Sequence, residues 1–261
     1  MRCPTLGAVT DAATTATRTP IDVEAPDGVC RATLHTPDGP GPWPGVLSYP
    51  DAGGVRETLA AMADRLAARG YAVLLPDIYY RTPYAPFDTS TLFGDEREFA
   101  RLGELARTLT PDRVADDAAA YLAALAARPE VSGSGVGVVG YCFGGSMALR
   151  AAATRPQTVA AAATFHGGNL APADDPAGPH LLADRIHAAV YVAAASDDAA
   201  FGPDQHDRLR QAFDTAGVRA VIETYPAAHG FAVPDNPTHD ADADRRHLEA
   251  LDGFLSAHLT R

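Results

Sequence analysis

Three side chains far apart in the sequence are of the types that together make and use a nucleophile: Cys142, His229 and one of the neighbouring acids Asp197 and Asp198. Cys142 stands in Val136-Gly137-Val138-Val139-Gly140-Tyr141-Cys142-Phe143-Gly144-Gly145-Ser146, with glycine two residues before it and two after. A β-branched run, an abrupt turn and a helix that begins at once are the parts of a G-x-nucleophile-x-G elbow, here with cysteine where serine is usual. The central residue of such a turn is strained, and any side chain at the flanking positions would strike the adjoining strand or helix, so glycine is required there. The turn also sets the sulfur at a helix N-terminus, whose unpaired N–H groups and dipole suit an anionic sulfur. The competing reading is a buried, inert cysteine in a Gly-rich turn; it leaves the order of strand, glycines and helix to coincidence.

The base and the acid are chosen by position. Among nine histidines, His229 follows a strand and precedes Gly230, which lets the backbone turn the ring inward. His166 also ends a strand but precedes the acid in sequence; it either lines the pocket or is structural. His206, His239 and His247 lie in or beside polar helical stretches and read as solvated. Asp198 is favoured over Asp197, because a strand ending near residue 194 turns its fourth following residue toward the histidine. In such an arrangement histidine takes the proton of the nucleophile and returns it to the leaving group, and the acid fixes the tautomer and steadies the imidazolium.

These residues need a scaffold that brings distant strand ends to one edge, and the chain reads as one. Residues 21–23 and 30–35 form an opening antiparallel hairpin, and residues 46–49 a buried strand. Pro50-Asp51-Ala52-Gly53-Gly54 then leads into an amphipathic helix over 56–68 with Leu59, Met62, Ala63 and Leu66 inward. In an esterase-type fold this loop gives one oxyanion-binding N–H and the residue after the nucleophile gives the other, here Ala52 and Phe143; a plain strand-to-helix turn is the alternative. A strand over 71–76 exits through Asp77-Ile78-Tyr79-Tyr80-Arg81-Thr82-Pro83 at the edge where ligands bind in open α/β sheets, and an irregular segment to about residue 95 caps that edge. Helices over 96–107 and 111–126 precede the elbow. Strands over 159–165, 188–194 and 220–225 alternate with a helix over 203–216, and a last helix covers 241–259. The chain order Cys142, Asp197 or Asp198, His229 is that of the α/β-hydrolase fold: a mostly parallel central sheet flanked by helices, with an N-terminal antiparallel hairpin. Residues 1–19 read as a loosely ordered lead-in and 20–261 as a single domain.

Bulk properties narrow the function. The chain has 261 residues, 46% of them hydrophobic and 21% charged, and a net charge of −12 without a basic run. Nucleic acid and anionic membrane are therefore unexpected partners. Apart from histidine, every basic side chain is arginine, so no lysine amine exists for a Schiff base or a covalent pyridoxal cofactor. Cys3, Cys30 and Cys142 are an odd set without framework spacing, which suits a reducing cytosol, and no apolar run approaches the ~20 residues that span a bilayer. His239-Asp240-Ala241-Asp242-Ala243-Asp244 lacks the glycine and closing glutamate of an EF-hand, and its acids suit a helix start, so no metal is expected there.

On the motifs Gly140-Tyr141-Cys142-Phe143-Gly144-Gly145, Pro76-Asp77-Ile78-Tyr79-Tyr80-Arg81, the acid Asp198 and Tyr225-Pro226-Ala227-Ala228-His229-Gly230-Phe231, the chain resembles the dienelactone hydrolase family over nearly everything from residue 19 onward. The resemblance implies hydrolysis of an enol lactone or related ester through a cysteine acyl-enzyme, without cofactor or metal; beside it stand the expectations of a cytoplasmic location and of a monomer or homodimer. It also implies that the acid of the oxyanion loop, Asp51 here, contacts the resting cysteine, and that Arg81, with Tyr80 and His166 nearby, binds a substrate carboxylate. A second arginine common after the histidine motif is replaced by Ala232-Val233-Pro234, which removes one carboxylate clamp worth ~1.5–3 kcal/mol. Two other readings stand beside this one: a non-catalytic ligand-binding or thiol redox-sensing homologue, and an esterase of a different substrate class.

Overall fold

The turn Pro26-Asp27 joins β1 (Ala16–Ala25) to β2 (Gly28–Pro37) as an antiparallel pair in unbroken register from Ala16 opposite Pro37 to Ala25 opposite Gly28. The computed structural model describes residues 16–260. Residues 16–19, expected in the lead-in, are thus part of a strand: pairing with β2 holds them where their own sequence gives little strand signal. The rest of the expected lead-in, residues 1–15, lies outside the described residues.

Six further strands complete the sheet: β3 (Trp43–Tyr49), β4 (Ala72–Pro76), β5 (Val131–Tyr141), β6 (Val159–Phe165), β7 (Ala189–Asp197) and β8 (Ala220–Ala228). Their order is β1-β2-β4-β3-β5-β6-β7-β8; β2 meets β4 antiparallel, and every pair from β4 to β8 is parallel. The inner strands of this parallel part are largely apolar on both faces, as Ala72-Val73-Leu74-Leu75-Pro76 shows by being buried throughout, whereas the edge strand β8 is partly open to solvent. Two layers of helix produce that burial. α1 (Glu57–Ala67) and α6 (Ala241–His258) share one core with Val46, Val73, Val139 and Phe165. On the other face α3 (Pro111–Ala126), α4 (Phe143–Thr154) and α5 (Pro203–Ala216) pack on Leu47, Leu74, Val138 and Val192, with α2 (Glu96–Ala106) at the margin.

Local chemistry sets where the helices start and stop. Asp95, Thr110 and Asp240 accept N–H groups of the first turns of α2, α3 and α6, and Gly217 ends α5 in the left-handed conformation. The alanines of β6 and Ala151, Ala152 and Ala153 of α4 are almost all buried, so small side chains let helix and sheet approach closely. A 3-10 helix, Pro179–Arg185, closes the side of α4 in a stretch without apolar periodicity.

The chain reverses direction across the sheet between β3 and β5. β4 lies on one side of β3 and β5 on the other. The loops leaving β3 and β5 therefore stand side by side with a crevice between them, the place where open α/β sheets bind ligands. Among the described residues, no helix is long and apolar enough to cross a membrane.

Candidate active site

Cys142 occupies the turn between β5 and α4 with φ 52° and ψ −116°, a positive φ that a non-glycine residue adopts only under constraint. The constraint is steric closure around it. A Cβ at Gly140 would collide with the backbone of Gly144, and one at Gly144 with the carbonyls of Tyr49 and Pro50, so both glycines are needed for β5, α4 and the end of β3 to approach. The Cys142 N–H donates to the Phe165 carbonyl (3.1 Å), while its own carbonyl accepts from Gly145 (3.0 Å) and Gly168 (3.1 Å). Cys142 holds the N-cap position of α4 yet makes no side-chain cap, which leaves the sulfur free and the first N–H groups of the helix without intrahelical acceptors.

The imidazole of His229 lies against that sulfur, with Nε2 3.0 Å from Cys142 Sγ and Nδ1 2.8 Å from Asp198 Oδ2. Asp198 is buried, and its other oxygen accepts from the N–H groups of Ala200 (2.8 Å) and Phe201 (3.2 Å). β7 runs three residues further than the sequence suggested, through Asp197, whose side chain is exposed while its carbonyl accepts from the His229 N–H at 3.0 Å. Asp198 is the first residue after the strand and faces the ring. Burial alone would lower the His229 pKa, but the Asp198 carboxylate and the Cys142 sulfur outweigh it and raise it to about 10. Cys30 is the contrast: it is fully buried, its thiol meets the Asp77 carbonyl, and burial pushes it up to about 12.

The loop after β3 is held from several directions. Tyr79 Oη donates to the Ala52 carbonyl (2.9 Å), and Asp51 Oδ1 accepts from Gly53 N–H (2.9 Å). The Asp51 carboxylate does not hydrogen-bond Cys142; it takes both terminal nitrogens of Arg56 at 2.7 and 2.8 Å. Arg56 also grips Asp235, six residues before the start of α6 and six after His229, at 2.6 and 2.8 Å. One guanidinium thus ties the β3 loop to the loop that carries the imidazole. The sequence assigns Arg56 no role at the site, because a partner 179 residues away leaves no local signal, and it gives Tyr79 a place in a motif but not this contact. The segment after β4 reaches the same edge: Thr89 Oγ1 donates to the Asp235 carbonyl at 3.0 Å.

Other expected site residues are buried or already paired. Arg81, expected to bind a substrate carboxylate, has its guanidinium closed by Asp117 (2.7 and 2.8 Å) and Asp27 (2.7 Å), and Tyr80 Oη donates to the same Asp117 at 2.9 Å. Arg81 and Asp117 are both buried, with side chains 7% and 4% exposed. Removing one partner strands the other charge, so Arg81→Ala is expected to cost about 3 kcal/mol of stability in urea denaturation, with no selective loss on carboxylate-bearing substrates. A variant of unchanged stability that loses only those substrates would restore the binding role.

His166 is completely buried, so substrate does not reach it. Its ring meets that of His229 edge-on at 5.3 Å and that of Phe231 at 5.0 Å, and neither of its nitrogens has a hydrogen-bond partner among the described residues. Burial, with the charges of His229 and His247 beside it, pushes its pKa well below the usual 6.5. A folded-state pKa below the unfolded one means that the unfolded chain binds the extra proton, so this stability is intact above about pH 6.5 and falls as pH drops. His166→Phe is expected to flatten the decline of the thermal midpoint between pH 7 and 5, by up to ~1.4 kcal/mol per pH unit. An unaltered decline would place the acid sensitivity in other groups. His247, read as solvated, is in fact 1% exposed and bonds Tyr141 Oη (3.0 Å) and Asp244 (3.1 Å). Its polar helical neighbours hid a polar network beneath the elbow strand. His206 and His239 are half-buried, and Asp240 caps α6. No group of three His, Cys, Asp or Glu among the described residues is arranged to hold a metal ion.

The model of the dienelactone hydrolase family matches residues 30–259. A carboxymethylenebutenolidase of Rhodococcus opacus is 28% identical over 231 residues, covering 85% of this chain and 86% of its own. A crystal structure described as a dienelactone hydrolase-like promiscuous phosphotriesterase from metagenomic libraries is 29% identical, with a TM-score of 0.74 and coverage of 94% of this chain and 100% of that one. A crystal structure from Klebsiella pneumoniae shares the fold with a TM-score of 0.80 at 23% identity, over 92% of this chain and 98% of its own.

Proposed function

The chain belongs to the dienelactone hydrolase family, whose members hydrolyse lactones and esters, and from that premise we propose that Cys142, His229 and Asp198 form a catalytic triad acting through a thioester acyl-enzyme. The observation that carries this reading is the unbroken line from sulfur to imidazole to carboxylate, 3.0 and 2.8 Å, at the mouth of the crevice between β3 and β5. His229 holds its proton against the sulfur, and the sulfur attacks the substrate carbonyl. The oxygen that becomes negative is received by the N–H groups of Phe143, at the free start of α4, and of Ala52, in the loop that Tyr79 and Arg56 hold in place; one such donor is worth ~3 kcal/mol. His229 Nε2 then gives its proton to the departing alkoxide, and the C–O bond breaks. Water, losing a proton to the same nitrogen, attacks the thioester, and the sulfur leaves with the C–S bond pair. Asp198 keeps Nδ1 protonated throughout.

Thiolate is a good leaving group, so a tetrahedral intermediate returns to substrate unless the competing group also leaves well. Activated esters and enol lactones meet that condition and amides do not. Acid quench during turnover of p-nitrophenyl acetate, followed by mass spectrometry of the digested protein, is expected to find an acetyl group on the peptide containing Cys142. An acetyl group trapped on another side chain would overturn the assignment.

A further inference from the structure

We propose that the cavity beside the elbow, from Phe143 to Arg150, is an acyl-chain subsite that selects esters whose acyl part ends in a carboxylate, with Arg150 as the residue that binds it. The proposal rests on the thiol-hydrolase reading above and adds a substrate class to it.

Three observations converge. The cavity has a volume of about 400 Å³ and opens onto the candidate site, since Phe143 and Gly168 are in its wall. Gly168 N–H bonds the Cys142 carbonyl, and a Cβ on Gly168 would stand 3.9 Å from the His229 ring. Between those residues and Arg150 the wall is largely apolar, with Leu109, Val114 and Met147. Such a surface suits methylene groups. Finally, Arg150 is a half-buried guanidinium with no carboxylate partner within 4.0 Å among the described residues. Its one hydrogen bond runs from a terminal nitrogen to the Ala177 carbonyl at 2.6 Å, which leaves most of its five donors unused. Arg56 and Arg81, by contrast, each grip two carboxylates. Asp175 shares the cavity wall but stands exposed, and its side chain accepts from the Ala177 N–H at 2.8 Å instead of reaching Arg150.

The helix sets the length of the ligand. Phe143 and Arg150 are seven residues apart on one face of α4, roughly 10 Å at about 1.5 Å per residue, and a long helical side chain leans back toward the N-terminus and shortens that gap. Adipoyl and suberoyl chains match the span, and a succinyl chain is too short. The carboxylate so bound lies one acyl-chain length from the scissile carbonyl.

The test compares p-nitrophenyl monoesters of succinic, adipic and suberic acids with the same esters carrying a methyl ester at the far end. For the wild-type protein, the charged-to-neutral ratio of kcat/KM is expected to exceed 10 for the adipate and suberate pairs and to be near 1 for the succinate pair. In Arg150→Met the adipate and suberate ratios are expected to fall roughly 10- to 100-fold, the worth of one charge-assisted pair, and Arg150→Lys is expected to retain part of them. Ratios unaffected by Arg150→Met, or no preference for charge at any length in the wild type, would overturn the subsite. The wild-type length series decides the matter if the variant fails to fold for want of the Ala177 contact. Loss of this proposal is distinguishable from loss of the one beneath it: a protein that cleaves neutral esters through Cys142 without regard to charge lacks only the subsite, whereas one that cleaves none of these esters lacks the hydrolase mechanism.

Discussion

Alanine at position 142 is expected to reduce turnover of p-nitrophenyl acetate by at least ~10³-fold, because the covalent route disappears and only binding and the oxyanion donors remain. Folding is not expected to confound the measurement. Alanine and cysteine are strained to the same extent at a φ of 52°, and the contacts that enforce the turn come from the glycines and the backbone of residue 142, not from its sulfur. A thermal midpoint near that of the wild type, together with the kinetic loss, completes the expected result. Equal turnover by the two proteins would discard the cysteine mechanism, and with it the enzymatic reading of this site.

Asp198→Asn is expected to lower kcat by up to about 10⁴-fold while Asp197→Asn leaves it within a few-fold. Asp198 has two separate duties: one oxygen accepts from Ala200 and Phe201 N–H, the other from His229 Nδ1. Asparagine keeps an acceptor for the backbone pair and then offers NH2 to the ring, which stabilises the tautomer with Nδ1 bare and Nε2 protonated in the neutral imidazole. The wild-type ring is raised to about 10 partly by this carboxylate. Removing it is therefore expected to shift the alkaline limb of the kcat–pH profile to lower pH as well as to reduce its height. The sign follows directly: a raised imidazole pKa means the proton is held below that pH and lost as pH rises through it, so a lower pKa brings the loss earlier. An unmoved limb in Asp198→Asn, or a deeper loss in Asp197→Asn, would transfer the role to the other acid.

What the sequence disclosed and what it concealed divide by distance along the chain. The elbow was readable because its requirements are local: two glycines at fixed offsets, a β-branched strand before, a helix after. The parallel strands were readable because burial on both faces leaves continuous apolar runs, as in β4 and β6. The sequence favours Asp198 over Asp197 on a strand end near residue 194; the strand is longer, yet the turn still brings Asp198 to the ring. The concealed parts are pairings across the fold. Nothing around Arg81 announces Asp117, whose carboxylate lies on the buried face of α3, and nothing around Arg56 announces Asp235. His247 reads as solvated because its neighbours in sequence are charged, while its partner, Tyr141, ends the strand that leads into Cys142. Residues 16–19 looked irregular because a strand's partner, not its composition, decided their conformation.

The Arg56 bridge makes the two halves of the pocket a single mechanical unit. Asp51 and Asp235 sit on opposite sides of one guanidinium, so a displacement of either loop is expected to be felt by the other. Loss of that guanidinium is therefore expected to disturb the side that holds Ala52 and the side that holds His229 together, not one at a time.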